Sequence, residues 1–320
     1  MKNRIKFLLG LLLTLATGGR AASFGAALSA KPNNRAPINE VTAAAEASVP
    51  RSVTFREVPG RGLLVKTWVN GIGPFSFAID TGAGATLLSP RVASESQVRV
   101  KSGRDTSIAG LSGVPVSAQD ATIRTLSIGD SENYLPAKGV VVVTTGLPRD
   151  LDGVLDPTEA FAPLGYVIDL PRRELSAFDA HALPLRRDAQ PAEGAVVPWL
   201  REGRGRRPFV QLDNGDRALL DTGSSLGLAI KDLDRNARTV SGYAVRDVGG
   251  GRVSARRARP TTVAIGSLTL RNIPTDMISG AEADAPVLLG LSALRPFRLR
   301  FDPVHHLIEI APGNGPYHLR

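Results

Sequence analysis

The sequence predicts a mostly-β chain made of one unit used twice, and three observations carry that expectation. Short runs of alternating apolar and polar residues recur between breaks rich in glycine and proline, with 33 Gly and 23 Pro in 320 residues. The tripeptide Asp-Thr-Gly occurs twice, each time after an apolar run. The segments on either side of the two copies match in order and spacing. Alternation at period two marks half-buried strands, and frequent turn residues keep such strands short.

The first copy is GPFSFAIDTGAGATLLS, residues 73–89, and the second is DRALLDTGSSLGLAI, residues 216–230. Asp80 and Asp221 stand 141 positions apart. Upstream of each, a run with an Asn-Gly pair (Asn70-Gly71 and Asn214-Gly215) reads as a β-hairpin. Downstream, residues 125–143 parallel 262–278, each with an Ile-Gly turn between β-rich runs. Residues 152–178 then parallel 285–310, each with an apolar pair, a short helical stretch and two last strands. The expected organisation is a signal-peptide region over 1–30, a flexible leader or pro-segment over 31–50, an N-terminal lobe over 51–179, a linker over 180–194 and a C-terminal lobe over 195–320. Within the leader, residues 40–47 suit a helix. Val196 to Leu200 suit the first strand of the second lobe.

Composition narrows the function. The chain is 42% hydrophobic and 22% charged, so it is globular and long enough for about two domains of ~150 residues. Cysteine is absent, which excludes disulfides, thiolate nucleophiles, Cys-ligated zinc and a lipoprotein acyl anchor. The net charge is +9, and all but seven of the basic residues are Arg. This reads as a basic but unspecialised surface, with attraction to an anionic membrane or cell wall as the alternative. Nucleic acid is disfavoured, because aromatics are only 5% and the arginines are dispersed. Lys2, Arg4 and Lys6 precede an apolar run from Phe7 to Thr17, too short for a spanning helix of about 20 residues. Small residues and Gly19-Arg20-Ala21 follow, the pattern of a cleavable secretory signal, with an uncleaved anchor as the alternative. The expectation is an exported, monomeric protein of a bacterial periplasm or exterior, without stable membrane insertion after cleavage. The four histidines do not cluster, so no metal and no cofactor is expected. The Gly249–Gly251 run is not followed by a helical pattern and fails as a nucleotide motif.

A single Asp-Thr-Gly is weak, but two at matched places in a repeat are specific. At these residues the chain resembles the aspartic protease superfamily, and in particular bacterial retropepsin-like proteins that carry both lobes in one chain. The resemblance spans roughly residues 53–311. It implies two pseudo-symmetric β-barrel lobes with an active-site cleft between them, and peptide-bond hydrolysis by a water held between Asp80 and Asp221. Like charges about 3 Å apart cannot both ionise, so one carboxyl keeps a proton and the other acts as base. The resemblance further implies that Thr81 and Thr222 bond across the dyad, and that Gly82 and Gly223 turn the backbone and donate N–H groups to the carboxylates. Ala83 and Ser224 follow them. Ser224 offers a hydroxyl to its carboxylate and Ala83 does not, so Asp221 is expected to be the more acidic. Flap candidates are the hairpins 108–116 and 247–255, with Gly110, Gly113, Gly249 and Gly250 at their tips; Tyr243 precedes the second tip. The family's apolar-apolar-Gly strand is present as Leu288-Leu289-Gly290. The first lobe departs from it with Val154-Leu155-Asp156, where Asp156 either adds charge to the dyad or caps a helix at Thr158–Ala162. The function expected is an aspartic endopeptidase acting on peptide or protein. The alternative is a non-catalytic relative that binds peptide or protein in the same cleft.

Overall fold

The computed structural model describes residues 6–7, 11–12, 49–136, 139–202, 205–232 and 242–313. The expectations for the signal region and for the leader, with its helix near 40–47, fall almost wholly outside these residues. The fold is mostly β, with 49% strand and 6% helix.

Two large sheets carry the repeat. In the first half, Ile72–Ile79 runs parallel to Gly153–Leu155, which lies antiparallel to Leu87–Leu88. Next come Val140–Thr144 (parallel), Pro115–Thr122 (antiparallel) and Arg99–Gly110 (antiparallel). The second half repeats this order with the same senses. Arg217–Asp221 pairs Val287–Gly290, then Leu228–Lys231, Thr275–Ser279, Arg252–Arg257 and Tyr243–Arg246 follow. Six consecutive neighbours with matching direction are the topological form of the sequence repeat. In both sheets the Asp-Thr-Gly turn sits where a strand end meets a parallel neighbour.

A third sheet is shared between the halves. Its order is Ala195–Pro198, Leu307–Pro312, Phe297–Asp302, Gly165–Asp169, Glu174–Phe178 and Val53–Thr54. The first three come from the second half and the last three from the first, joined antiparallel at Ile168 and Leu299. The strand expected at Val196–Leu200 is Ala195–Pro198, and it lies at the edge of this shared sheet beside Leu307–Pro312. Its register against Leu307–Pro312 buries Ala195 and Val197, which decides the partner. The linker segment is packed as well: Leu185 is buried and its N–H donates to Asp302 Oδ2 at 2.9 Å.

Aromatic packing beneath the shared sheet fastens the halves together. Tyr166 is fully buried and stacks on Phe301 of the other half, with centroids 4.6 Å apart, and on Phe161 at 6.0 Å. Trp199 meets Phe301 edge-on at 5.9 Å. The Tyr166 hydroxyl and Thr158 Oγ1 share a hydrogen bond of 2.9 Å. Short stretches of the N-terminal segment also pair with this framework. Leu11–Leu12 lies antiparallel to Ala109 and Gly110, and Lys6–Phe7 lies parallel to Val245 and Arg246.

Tyr166→Ala should cost about 3–5 kcal/mol of stability by urea denaturation, because the cavity cannot collapse between two sheets. Tyr166→Phe, which keeps the ring and loses only the hydrogen bond, should cost about 1 kcal/mol.

Candidate active site

Each Asp-Thr-Gly turn begins where its strand runs out. Asp80 N–H still donates to Leu155 O at 3.0 Å, the last rung beside the parallel neighbour. The chain then turns, with Ala83 N–H directed at Asp80 O (3.4 Å) and Ser224 N–H at Asp221 O (3.3 Å). Both turns lie in the interior, and Asp80, Asp221, Thr81 and Thr222 are all essentially unexposed.

The threonines bind the two turns reciprocally. Thr81 Oγ1 donates to Leu220 O at 2.6 Å and accepts from Thr222 N–H at 3.1 Å. Thr222 Oγ1 donates to Ile79 O at 3.1 Å and accepts from Thr81 N–H at 3.1 Å. Each hydroxyl thus satisfies one carbonyl and one amide of the opposite half, in a site without water access to replace them.

The carboxyls are brought together as the repeat implied. Gly82 N–H donates to Asp80 Oδ1 and Gly223 N–H to Asp221 Oδ1, both at 2.8 Å. The glycines have a second function that the sequence did not reveal. A Cβ on Gly82 would stand 3.0 Å from the Asp221 carboxyl carbon, and one on Gly223 only 2.4 Å from that of Asp80. Each glycine is therefore the surface against which the opposite carboxyl rests. The two Oδ2 atoms receive no donor from the described residues. Each carboxyl thus lies against the opposite turn, and the charge of one disfavours ionisation of the other.

Burial and mutual repulsion push Asp80 well above the usual carboxyl range, with the Asp156 charge adding to the effect. Burial also raises Asp221, but only to about 6, because the bond to Asp80 and the N–H groups of Gly223 and Ser224 favour its charged form. The donor that favours charge on Asp221 differs from the one expected. The Ser224 hydroxyl does not reach the carboxylate; it accepts from Leu226 N–H at 3.2 Å. The extra donor is the Ser224 backbone N–H, at 3.1 Å from Asp221 Oδ1. In the first half the corresponding Ala83 N–H bonds the Asp80 carbonyl.

Asp156 occupies the place of Gly290. Leu155 pairs with Ile79 and Gly290 with Asp221, so Asp156 falls one step on, opposite Asp80. A Cβ on Gly290 would lie 2.6 Å from Leu226 O, 2.8 Å from Ser224 O and 2.9 Å from Ser224 Oγ, so the backbone after the second turn leaves no room for a side chain there. Asp156 caps the helix Pro157–Ala160, its Oδ1 accepting from Thr158 N–H at 2.9 Å. It also lies in the interior, where burial and the neighbouring Glu159 raise it to about 7. Capping and proximity to the dyad, expected as alternatives, hold together. Two residues escaped the sequence reading. Thr86 receives the Asp156 N–H on its Oγ1 (3.3 Å), and its own N–H donates to Glu159 Oε2 (3.0 Å). Only the Thr-Leu-Leu run after the first turn could have suggested them.

The flap candidates form hairpins between Arg99–Gly110 and Pro115–Thr122, and between Tyr243–Arg246 and Arg252–Arg257. Gly113, Gly249 and Gly250 have positive φ at the tips, while Gly110 closes the first strand. Tyr243 opens the second hairpin, away from its tip. No group of three or more potential metal ligands occurs among the described residues.

Residues 65–155 match a family model described as aspartyl protease. The span includes Asp80, stops one residue short of Asp156 and ends before the second turn. No curated protein matches the chain. Over this span the chain is similar to aspartyl proteases.

Thr81→Val keeps the shape of the side chain and strands a buried carbonyl and a buried amide. It should lower stability by about 2–4 kcal/mol in urea titrations. Asp156→Asn retains the cap and removes the charge. Asp156 is raised from about 4 when unfolded to about 7 when folded. Its contribution to stability is therefore full below about pH 4 and lost as pH rises through about 7. The Asn variant should show a smaller fall in Tm between these limits than the wild type.

Proposed function

We propose that the chain is an exported aspartic endopeptidase in which Asp80 and Asp221 act as one acid–base pair on a water molecule. The observation that carries this reading is the placement of two buried carboxyls, each resting on the glycine of the opposite turn, within a pseudo-twofold grip of threonines. A structural role has no use for two like charges at 0% exposure. In the step we assign, the ionised carboxylate takes a proton from the water as its oxygen bonds to the peptide carbonyl carbon. The protonated carboxyl donates to the carbonyl oxygen. The carboxyl that took the water's proton then passes it to the amide nitrogen as the C–N bond breaks, and a hydroxyl of the tetrahedral intermediate returns its proton to the other carboxylate, which restores the pair to one shared proton. Asp221, the more acidic, is the base and Asp80 holds the proton.

An extended peptide suits the cleft. The backbone edges of both flap hairpins accept strands, antiparallel at Ala109–Gly110 and parallel at Val245–Arg246. One extended chain crossing a pseudo-twofold axis must meet the two edges in opposite senses. Main-chain pairing of this kind supplies affinity with little demand on side chains. Export rests on the charged and apolar N-terminal pattern, and the absence of any helix long and apolar enough to span a membrane among the described residues is compatible with it.

Purified protein should cleave members of a diverse peptide library, and Asp80→Asn or Asp221→Asn should each abolish cleavage with the fold intact by circular dichroism. A wild type that binds peptides and cleaves none between pH 3 and 8 would overturn the reading. Because both carboxyls are raised, the singly protonated pair persists to higher pH than for exposed carboxyls, and activity should extend towards neutrality. Asp156→Asn removes a charge that raises Asp80, so the alkaline limb of the pH–rate profile should move to lower pH. N-terminal sequencing of secreted protein should find a start between about Ala21 and Lys31.

A further inference from the structure

The two hairpin tips exchange places between the halves. Leu111, at the first tip, is buried in the second half's apolar cluster with Leu226, Val245, Ile278 and Leu288. Val248, at the second tip, is buried in the first half's cluster with Ala83, Ala85, Ile108 and Val142. Backbone bonds repeat the exchange. Glu282 N–H donates to Leu111 O at 3.1 Å, and Gly249 N–H donates to Gly146 O at 3.0 Å. The two receiving loops follow equivalent strands, Thr275–Ser279 and Val140–Thr144.

One contact breaks this symmetry. Asp247 is buried at 5% exposure, and its Oδ2 accepts the Ser112 N–H of the opposite tip at 2.7 Å. It rests on Gly110, where a Cβ would lie 2.5 Å from its carboxyl. A Cβ on Gly251 would lie 1.9 Å from Ser112 Oγ and 2.7 Å from Asp247 Oδ1. Two glycines, one from each hairpin, are thus the seat of a single carboxyl. Counted from the buried tip residues Leu111 and Val248, Asp247 stands where the first half has Gly110.

We infer that Asp247 is a positioning residue that latches the two tips together and sets the roof of the cleft. It touches no reacting atom in this assignment. It holds the tip 111–114 in register with the second half, so that the edge at Ala109–Gly110 is presented to an incoming strand. The kinetic part of the inference rests on the peptidase reading; the conformational part does not.

The test uses the full chain and two readouts. Hydrogen exchange measured at residues 111–114 should quicken by about tenfold in Asp247→Ala, the equivalent of one charge-assisted hydrogen bond. It should return to within about threefold of wild type in Asp247→Asn, which keeps an acceptor oxygen in the same place. Gly110→Ala should reproduce the Ala effect from the other side of the contact. With peptide substrate, Asp247→Ala should raise KM by about tenfold and change kcat less, the signature of lost binding and not of lost chemistry. Unchanged exchange in Asp247→Ala, equal effects of Ala and Asn, or wild-type exchange in Gly110→Ala would each overturn the latch. Exchange that responds as expected in a protein with no cleavage at all would keep the latch and overturn the peptidase reading.

Discussion

The structure depends on the constraint that two buried carboxyls can face each other only if the loops bearing them cannot move apart. Separate, each would be a desolvated charge with only one or two backbone donors, which is unfavourable by several kcal/mol. Together they hold one proton between them and present a single charge. The reciprocal threonine bonds fix the spacing, since each hydroxyl completes the hydrogen bonding of the opposite strand end. The shared sheet and the Tyr166–Phe301 stack maintain the same relation at longer range. The turn, the strand end beneath it and the sheet joining the halves all serve one interatomic contact.

Within that frame the halves differ where the chemistry needs a difference. A symmetric pair would share its proton equally and give neither carboxyl a defined role. Here Asp221 receives two backbone N–H groups and Asp80 one. Asp156 adds negative potential on the Asp80 side alone. Both inequalities favour the proton on Asp80. Packing permits the difference: the carbonyls of Ser224 and Leu226 crowd Gly290 on one side, while Asp156 is accommodated and caps a helix on the other.

Much of this was legible in the sequence, for reasons of local chemistry. Period-two alternation and paired turn residues gave the mostly-β class. Two Asp-Thr-Gly turns at one repeat position pointed to the dyad, because each carries its own strand before it and its own apolar run after it. Contacts made between distant segments were not legible. The Ser224 hydroxyl was assigned to Asp221 from proximity in sequence, but it is spent on Leu226 N–H two residues on. The strand near Val196 was legible, but nothing local reveals that its partner is the last strand of the chain. Asp247 resembled any Asp before a glycine-rich turn. Its role exists only through Gly110, 137 positions away, and a missing Cβ leaves no trace in hydropathy.

The asymmetries also bear on why both halves lie in one chain. In a dimer of identical lobes, any residue at the Asp247 position would appear at the Gly110 position too. A side chain there would begin 2.5 Å from the opposing carboxyl, so the latch could not form in duplicate. A carboxyl at the Asp156 position would likewise meet a lobe whose turn carries Ala83, leaving both sides of the dyad equally charged and the proton without a preferred site. Joining the halves releases each position from its symmetry mate. One half can then supply a glycine where the other supplies an acid, which is the condition for a one-sided latch and for a dyad with distinct acid and base.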